Sequence, residues 1–216
     1  MNQNRRIVLL LDALEYSFSF AHRYHKAFYR GLLSLEKNLS RKLPNKRIVL
    51  SLFMNIWGLI DVCFRIISLI QKLPKWKKHL AFRSFIESTT NIEEMRHYVQ
   101  HLGEKIEALP DEATPLWGVI SWVSKLSPEV CYTIVSGTNL PGTRAYSCAY
   151  DTFNHEFAQN CIFGINDSLI EVNKLFCEIE KTQKYFLDYS TEFGHQYSKN
   201  TVPIFKSTFS EFETKR

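Results

Sequence analysis

The sequence lacks the short motifs by which common enzymes are recognised. It contains no glycine-rich phosphate-binding loop, no H-E-x-x-H metal motif, no nucleophile elbow and no internal repeat. Its five cysteines include no close pair of the C-x-x-C type, which argues against a zinc site and against a disulfide framework. We therefore expect a cytoplasmic protein with reduced thiols, no metal ion and no cofactor.

The sequence also lacks a clean hydrophobic segment for export or membrane insertion. Asp12 and Glu15 interrupt the apolar residues near the N-terminus, where a signal peptide needs an unbroken core. The most apolar stretch, residues 48–70, contains Asp61 and Arg65. A membrane span needs about 20 predominantly apolar residues, and a charged residue in its middle is costly. We predict that the chain does not enter a membrane.

Long runs of like charge are missing as well. The net charge of +5 is spread along 216 residues, so nucleic acid is a permissible partner without being implied. A hydrophobic content of 45% and an aromatic content of 14% are enough to bury a large core. The chain is therefore expected to fold, most simply as one domain.

Apolar residues at helical spacing predict three helical regions in the first half of the chain. These regions span about residues 7–38, 44–73 and 76–109, with a break in the third near residues 88–91. The second region carries two neighbouring apolar stripes, so it is expected at the centre of a bundle.

His25 is the one polar residue in the apolar seam of the first helix. Two interpretations stay open: a buried histidine satisfied by a neighbour, or a pocket residue that carries a proton near neutral pH. His22, Arg23, Lys26 and Arg30 surround it among aromatic residues. That mixture suits a phosphate-binding surface, and a solvated helix face has the same composition.

Short segments rich in aromatic and β-branched residues predict a small antiparallel sheet. Residues 116–123, 130–135 and 145–150 have this character, residues 136–143 have the composition of a turn, and residues 157–163 are either a further strand or the approach to a helix. The segment has more aromatic surface than one hairpin buries on itself. We expect these rings to pack on the helices or on a partner.

The predicted fold class is mainly α: an antiparallel helical bundle with a small antiparallel β insertion. One domain is expected over residues 1–198, with the insertion at about 115–162 and a C-terminal arm at 199–216. Asp167 and Ser168 have the residue types of a cap for the last long helix.

The candidate site lies on the predicted helix at residues 89–109. Thr90 and Glu93 have the spacing of a capping box at its start. One side of the helix is apolar, and the opposite arc is crowded with ionisable groups. The polar arc contains Glu93, Arg96, His97, Gln100, His101 and Glu104.

Arg96, His97 and His101 give the pattern of an arginine, a polar residue directly after it, and a histidine five positions on. A mostly helical chain with this Arg-x4-His pattern resembles the HEPN superfamily (higher eukaryotes and prokaryotes nucleotide-binding), whose motif is Arg, four to six residues, His. The resemblance covers about residues 7–110 and 167–195. His97 stands where Asn is commoner, and the β-rich segment lies outside the minimal fold.

The resemblance implies a dimeric helical bundle and, for many members, a metal-independent endoribonuclease of a toxin–antitoxin or phage-defence system. Arg96 and His101 would be catalytic and His97 supporting, with RNA as substrate and an antitoxin or defence-system protein as partner. The residues expected to contact the substrate are Glu93, Tyr98 and Gln100. Two alternatives stay open: a catalytically inactive HEPN-like binding module and a plain helical scaffold.

The implied chemistry needs no metal ion. Cleavage of RNA by its own 2′-OH requires an acid–base group near neutral pKa and a cation for the phosphate, which His101 and Arg96 supply. Five residues apart, the two side chains point about 140° apart around one helix. We therefore expect a homodimer in which two copies of this helix line a cleft.

Overall fold

The computed structural model describes residues 3–39, 46–108, 115–137 and 145–192, and it is mainly α with a small antiparallel sheet. The helices are α1 (Gln3–Leu39), α2 (Lys46–Ile70), α3 (Leu80–Ser88), α4 (Asn91–Gln100), α5 (Leu102–Ala108) and α6 (Val172–Thr191), and a short 3₁₀ turn covers Trp76–Lys78. The strands are β1 (Val119–Val123), β2 (Cys131–Val135), β3 (Tyr150–Asp151), β4 (Glu156–Phe157), β5 (Cys161–Ile165) and β6 (Ser168–Glu171).

The two longest helices, α1 and α2, form an antiparallel pair at the centre of the core. They approach closely where glycine leaves room: Gly31 faces Leu52, and Gly58 faces the ring of Tyr24. The predicted apolar seam of α1 is buried from Leu11 to Leu35 except at His25, and Ile7 at its N-terminal end is partly exposed. Helix α2 is the one described helix that is long and apolar enough to cross a membrane, and half of its most apolar window is buried in the fold.

The sheet has the strand order β2-β1-β5-β6, and every pairing is antiparallel. Strand β5 is buried along its whole length, because β1 and β6 flank it and helices cover it. Gly118 precedes β1 with φ +92, and a Cβ there would lie 2.7 Å from the Gly164 carbonyl oxygen. That tight approach requires glycine.

The further strand expected within residues 157–163 is present as β5, but the β region differs from its prediction at residues 145–150 and at the predicted helix cap. Most of residues 145–150 lie outside strands, and only Tyr150–Asp151 pairs, with Glu156–Phe157. The predicted helix cap at Asp167 and Ser168 is wrong, because the chain reverses there and β6 follows before α6 begins at Val172. Asn166 makes this reversal at φ 52, a left-handed conformation that Asn tolerates. The sheet therefore extends past residue 162, to Glu171.

The predicted packing of the aromatic segment on the helices is confirmed at Trp122. This indole is 3% exposed, and its Nε1 donates to Glu36 of α1 at 2.7 Å. Tyr132 packs against Trp122 with ring centroids 5.4 Å apart. Trp117 and Tyr150 are 45% and 47% exposed.

The break predicted near residues 88–91 is present, between α3 and α4. Three predictions lie outside the described residues: the helix end at Leu109–Pro110, most of the turn at 136–143, and the arm at 199–216.

Candidate functional site

A cavity of about 720 Å³ lies between α1, the end of β1 and the start of α6. Helix α1 contributes a stripe of residues at steps of three and four, so the cavity follows the helix axis. Its lining consists of His25, Lys26, Tyr29, Arg30, Leu32, Leu33, Glu36, Trp122, Val123, Ser124, Lys125, Pro128, Asn160 and Asn173. His25 lines this cavity, as the pocket interpretation expects, but its lowered pKa argues against the proton-carrying role near neutral pH that this interpretation included.

The His25 ring stacks on Phe176 of α6, with centroids 3.6 Å apart and planes 4° from parallel. Its Nε2 is buried and has no hydrogen-bond partner among the described residues. Burial lowers the pKa of His25 to about 4, and the nearby His22 and Lys125 add to the effect. His25 is therefore neutral at pH 7.

Glu36 is a buried carboxylate at the other end of the cavity stripe, 7% exposed. Its Oε1 accepts hydrogen bonds from Trp122 Nε1 at 2.7 Å and from the Lys125 backbone N–H at 3.3 Å. Within the described part of the chain, Oε2 is buried without a partner. The Tyr29 hydroxyl donates to the Asn173 side-chain oxygen, and burial raises the pKa of Tyr29.

The second candidate site is the predicted helix at 89–109, which the structure divides in two. Helix α4 ends at Gln100, His101 has φ −107 and ψ 26, and α5 begins at Leu102. Gly103 follows at once, and glycine weakens helical continuity. The capping box is wrong, because Thr90 has helical φ −57 and ψ −37 and makes no side-chain cap bond.

Arg96 is held by α2 rather than solvated freely. Its Nε lies 3.3 Å from Asp61 Oδ1, and its guanidinium carbon lies 4.1 Å from the centroid of the Phe64 ring. Its Nη1 donates weakly to Gln100 at 3.4 Å. Asp61 also pairs with Arg65 at 2.7 Å, as the sequence spacing predicts. One carboxylate therefore serves two guanidinium groups.

His97 and His101 lie side by side at the junction of α4 and α5. Their ring centroids are 4.4 Å apart and the rings are tilted by 45°. Glu104 Oε2 lies 3.2 Å from His101 Nδ1. His97 is exposed, and the His101 side chain is 40% exposed, so both are open to a ligand from solution. We name these two residues the histidine pair.

A pocket of about 360 Å³ lies beside the histidine pair, between α4 and the β5–β6 turn. Tyr98 lines it but is only 6% exposed, and its hydroxyl is buried with no partner in the described ranges. Burial raises the pKa of Tyr98. Glu94 accepts a hydrogen bond from Ser168 at 2.8 Å, which fastens α4 to this turn. Glu93, the remaining predicted contact residue, is exposed on α4.

Comparisons of the chain with protein-family models, curated proteins and solved structures found no significant match.

The junction of α4 and α5 has the parts for acid–base chemistry on an anion. Two neighbouring imidazoles that are open to solution can act as a base and an acid, because an imidazole can both accept and donate a proton. Arg96 adds a cation whose orientation is fixed by Asp61 and Phe64. Sequence reasoning identified these side chains but not their partners on α2, since no local pattern links residues 61 and 96.

Proposed function

We propose that this chain is a HEPN-like protein that cleaves RNA without a metal ion, at the junction of α4 and α5. The observation that carries the proposal is the histidine pair, with the His97 and His101 rings 4.4 Å apart and open to solution. This contact gives His97 a larger part than the supporting role that the motif implies. Arg96 lies on the same helix as His97, one residue earlier.

The reaction is attack of a ribose 2′-OH on the adjacent phosphorus. A neutral imidazole of the pair takes the 2′-OH proton, and a protonated imidazole gives a proton to the departing 5′ oxygen. The P–O5′ bond breaks as the P–O2′ bond forms, which leaves a 2′,3′-cyclic phosphate and a 5′-OH end. Glu104 beside His101 Nδ1 favours a proton on that nitrogen, so that Nε2 faces the reaction.

Arg96 is the proposed phosphate ligand. Its hydrogen bonds to described residues use Nε and Nη1, which leaves Nη2 for a phosphate oxygen. The side chain is 30% exposed, so an anion can reach it. A guanidinium that is already oriented loses less freedom on binding than a mobile one.

The pocket beside His97 is the proposed site for an unstacked base. Its volume of about 360 Å³ and its position between α4 and the β5–β6 turn place it next to the histidine pair. The Tyr98 hydroxyl, which has no hydrogen-bond partner among the described residues, provides a hydrogen bond for a base edge. Proteins that read single-stranded RNA commonly accept unstacked bases in such pockets.

One observation favours a second candidate, a catalytically inactive HEPN-like binding module. Asp61 and Phe64 engage Arg96 so fully that fastening α4 to α2 is a sufficient role for this residue. In this alternative, the exposed histidine pair contacts a partner protein and no RNA is cleaved. We propose the homodimer and the antitoxin or defence-system partner for both candidates.

The test is cleavage of a mixed RNA pool by the purified protein, once with EDTA and once with magnesium. We expect cleavage in both conditions, and His97→Ala and His101→Ala should each reduce it roughly 10²-fold or more, the usual scale for an acid–base group. His155→Asn is the matched control, because His155 is exposed on the β3–β4 turn and Asn tolerates its φ of 56. Intact RNA in both conditions would refute the nuclease and leave the binding module and the plain helical scaffold.

Arg96 needs a separate control because it also packs on Phe64. Arg96→Ala removes the charge and the packing together, so lower activity would not identify the cause. Arg96→Lys retains the charge but loses the forked hydrogen bonding. The nuclease proposal expects Arg96→Lys to lower cleavage at a thermal stability close to that of the unmodified protein. Full cleavage by Arg96→Lys and Arg96→Ala would remove Arg96 from the site.

A further inference from the structure

The cavity along α1 combines charges of opposite sign at different depths, and the proposed nuclease chemistry uses none of them. A buried carboxylate, Glu36, lies at one end of the α1 stripe. Exposed cations lie along the remaining length, and apolar side chains form much of the wall between. The cations are Lys26, Arg30 and Lys125, and the apolar wall includes Leu32, Leu33, Val123 and Pro128.

The carboxylate end of the cavity is suited to a hydrogen-bond donor. Trp122 and the Lys125 backbone hold Oε1 and so fix the orientation of the Glu36 side chain. Oε2 is buried and lacks a partner among the residues that the structure describes. Leaving a buried acceptor unsatisfied costs about 1–3 kcal/mol, and more for a charged group. A ligand N–H in the cavity removes that cost.

The cationic end favours an anion. Lys26 and Arg30 are one helical turn apart and exposed, and Lys125 Nζ lies 5.6 Å from the Tyr29 ring centroid. A ligand that carried only a positive charge would be repelled by these three groups on entry. A ligand with an additional anionic group is attracted to the rim and still brings a donor to Glu36.

The two ends are separated by a distance that the helix fixes. Glu36 lies six residues after Arg30, which corresponds to about 9 Å along the axis of α1. A volume of about 720 Å³ is within the usual range for small-molecule sites. The ligand is therefore elongated, with its two polar ends separated by an apolar body that matches the wall.

We propose that this cavity binds an elongated amphipathic small molecule with an N–H donor at one end, an anionic group at the other and an apolar body between them. Glu36 accepts from the donor, and Arg30 with Lys125 binds the anion. The neutral His25 ring, stacked on Phe176, also lines the cavity. The site lies on α1 and is independent of the histidine pair.

Three probes with eight carbons each test the proposed positions of the donor and the anion. Their binding to the unmodified protein is measured by titration calorimetry. They are ω-aminooctanoate, which carries both ends, octanoate, which lacks the amine, and octylamine, which lacks the carboxylate. We expect saturable one-to-one binding of ω-aminooctanoate, and at least 10-fold weaker binding of both other probes, since a charged hydrogen bond commonly contributes that factor or more. Equal binding of all three probes would show only apolar partitioning and would overturn the proposal, as would no binding at millimolar concentration.

Two variants assign the ends of the site. Glu36→Gln keeps the shape of the side chain and the Oε1 acceptor but removes the charge. It should therefore weaken the binding of ω-aminooctanoate by about 10-fold and leave the binding of octanoate unchanged. Arg30→Ala should weaken the binding of both probes that carry a carboxylate, ω-aminooctanoate and octanoate. Arg23→Ala is the matched control, because Arg23 is exposed on the same helix and does not line the cavity.

An equal loss of binding in Arg23→Ala and Arg30→Ala would show that only the overall positive charge matters. That result would refute the assignment of Arg30 to the anion-binding end. The comparison of the three probes on the unmodified protein needs no variant, so the proposal stays testable even if Glu36→Gln folds poorly. Because all readouts are binding, they are separate from RNA cleavage, and either proposal can fail while the other stands.

Discussion

Protonation of His25 is expected to destabilise the fold as the pH falls below about 6.5. The ring is stacked on Phe176 and lies beside the tilted Tyr29 ring, its Nε2 is buried, and burial together with the nearby His22 and Lys125 disfavours its protonated form. Its pKa is lowered from 6.5 to about 4. Between these two values, the unfolded chain binds a proton that the folded chain does not. The free energy of unfolding therefore falls with falling pH in this window and is unaffected by His25 above it.

The gap between the two pKa values corresponds to roughly 3 kcal/mol. The assay is urea denaturation at pH 7 and at pH 4, with His25→Phe as the comparison, because a phenyl ring keeps the stacking on Phe176 without a titratable group. Other acid-titrating groups are common to both proteins and cancel in the difference. Between pH 7 and pH 4 the unmodified protein should lose roughly 3 kcal/mol more than the variant. Parallel pH profiles would refute the burial of a neutral His25.

Two further predictions concern packing and assembly. Gly58→Ala should destabilise the protein by about 1–3 kcal/mol in thermal denaturation, because its Cβ would lie 2.5 Å from the Tyr24 ring. Gly103→Ala is the control, since it meets open space in α5 and should be neutral or stabilising. Light scattering should show a homodimer, and a crystal structure of that dimer should place α4 and α5 near the two-fold axis. A monomer at micromolar concentration would contradict the dimer.

The helices of the first half were predictable from sequence because each presents a regular apolar stripe. Helices α1 and α2 have the expected extents within a few residues, and the interruption before α4 is marked by the polar run at 88–91. The mainly α class follows from these long periods. Short helices and strands contain too few residues for the periodicity of their apolar residues to be recognised. Strand β6 is only four residues long. The polar residues Asp167 and Ser168 at its start have the residue types of a helix cap, which is why the sequence predicts that a helix begins there.

The cavity shows why a site is harder to predict than a fold. His25 is conspicuous as the polar residue of an apolar seam, but Glu36 looks like a solvated position on the same helix. Its burial depends on Trp122, which is 86 residues away in the chain. No local pattern carries that contact. The break between α4 and α5 is a second example. The motif identifies His101 as a candidate residue, but the sequence does not predict that the helix is interrupted there.

The Asp61 contact decides how much cationic character remains at the histidine pair. A lone ion pair between Arg96 and Asp61 would cancel the positive charge on which the proposed phosphate binding depends. Arg65 lies 2.7 Å from the same carboxylate, so the three groups together keep one net positive charge. All three side chains are between 30% and 64% exposed, and solvent screening therefore keeps the attraction within the cluster modest. The proposed phosphate ligand would therefore meet a cluster that is still positively charged, although Asp61 already engages Arg96.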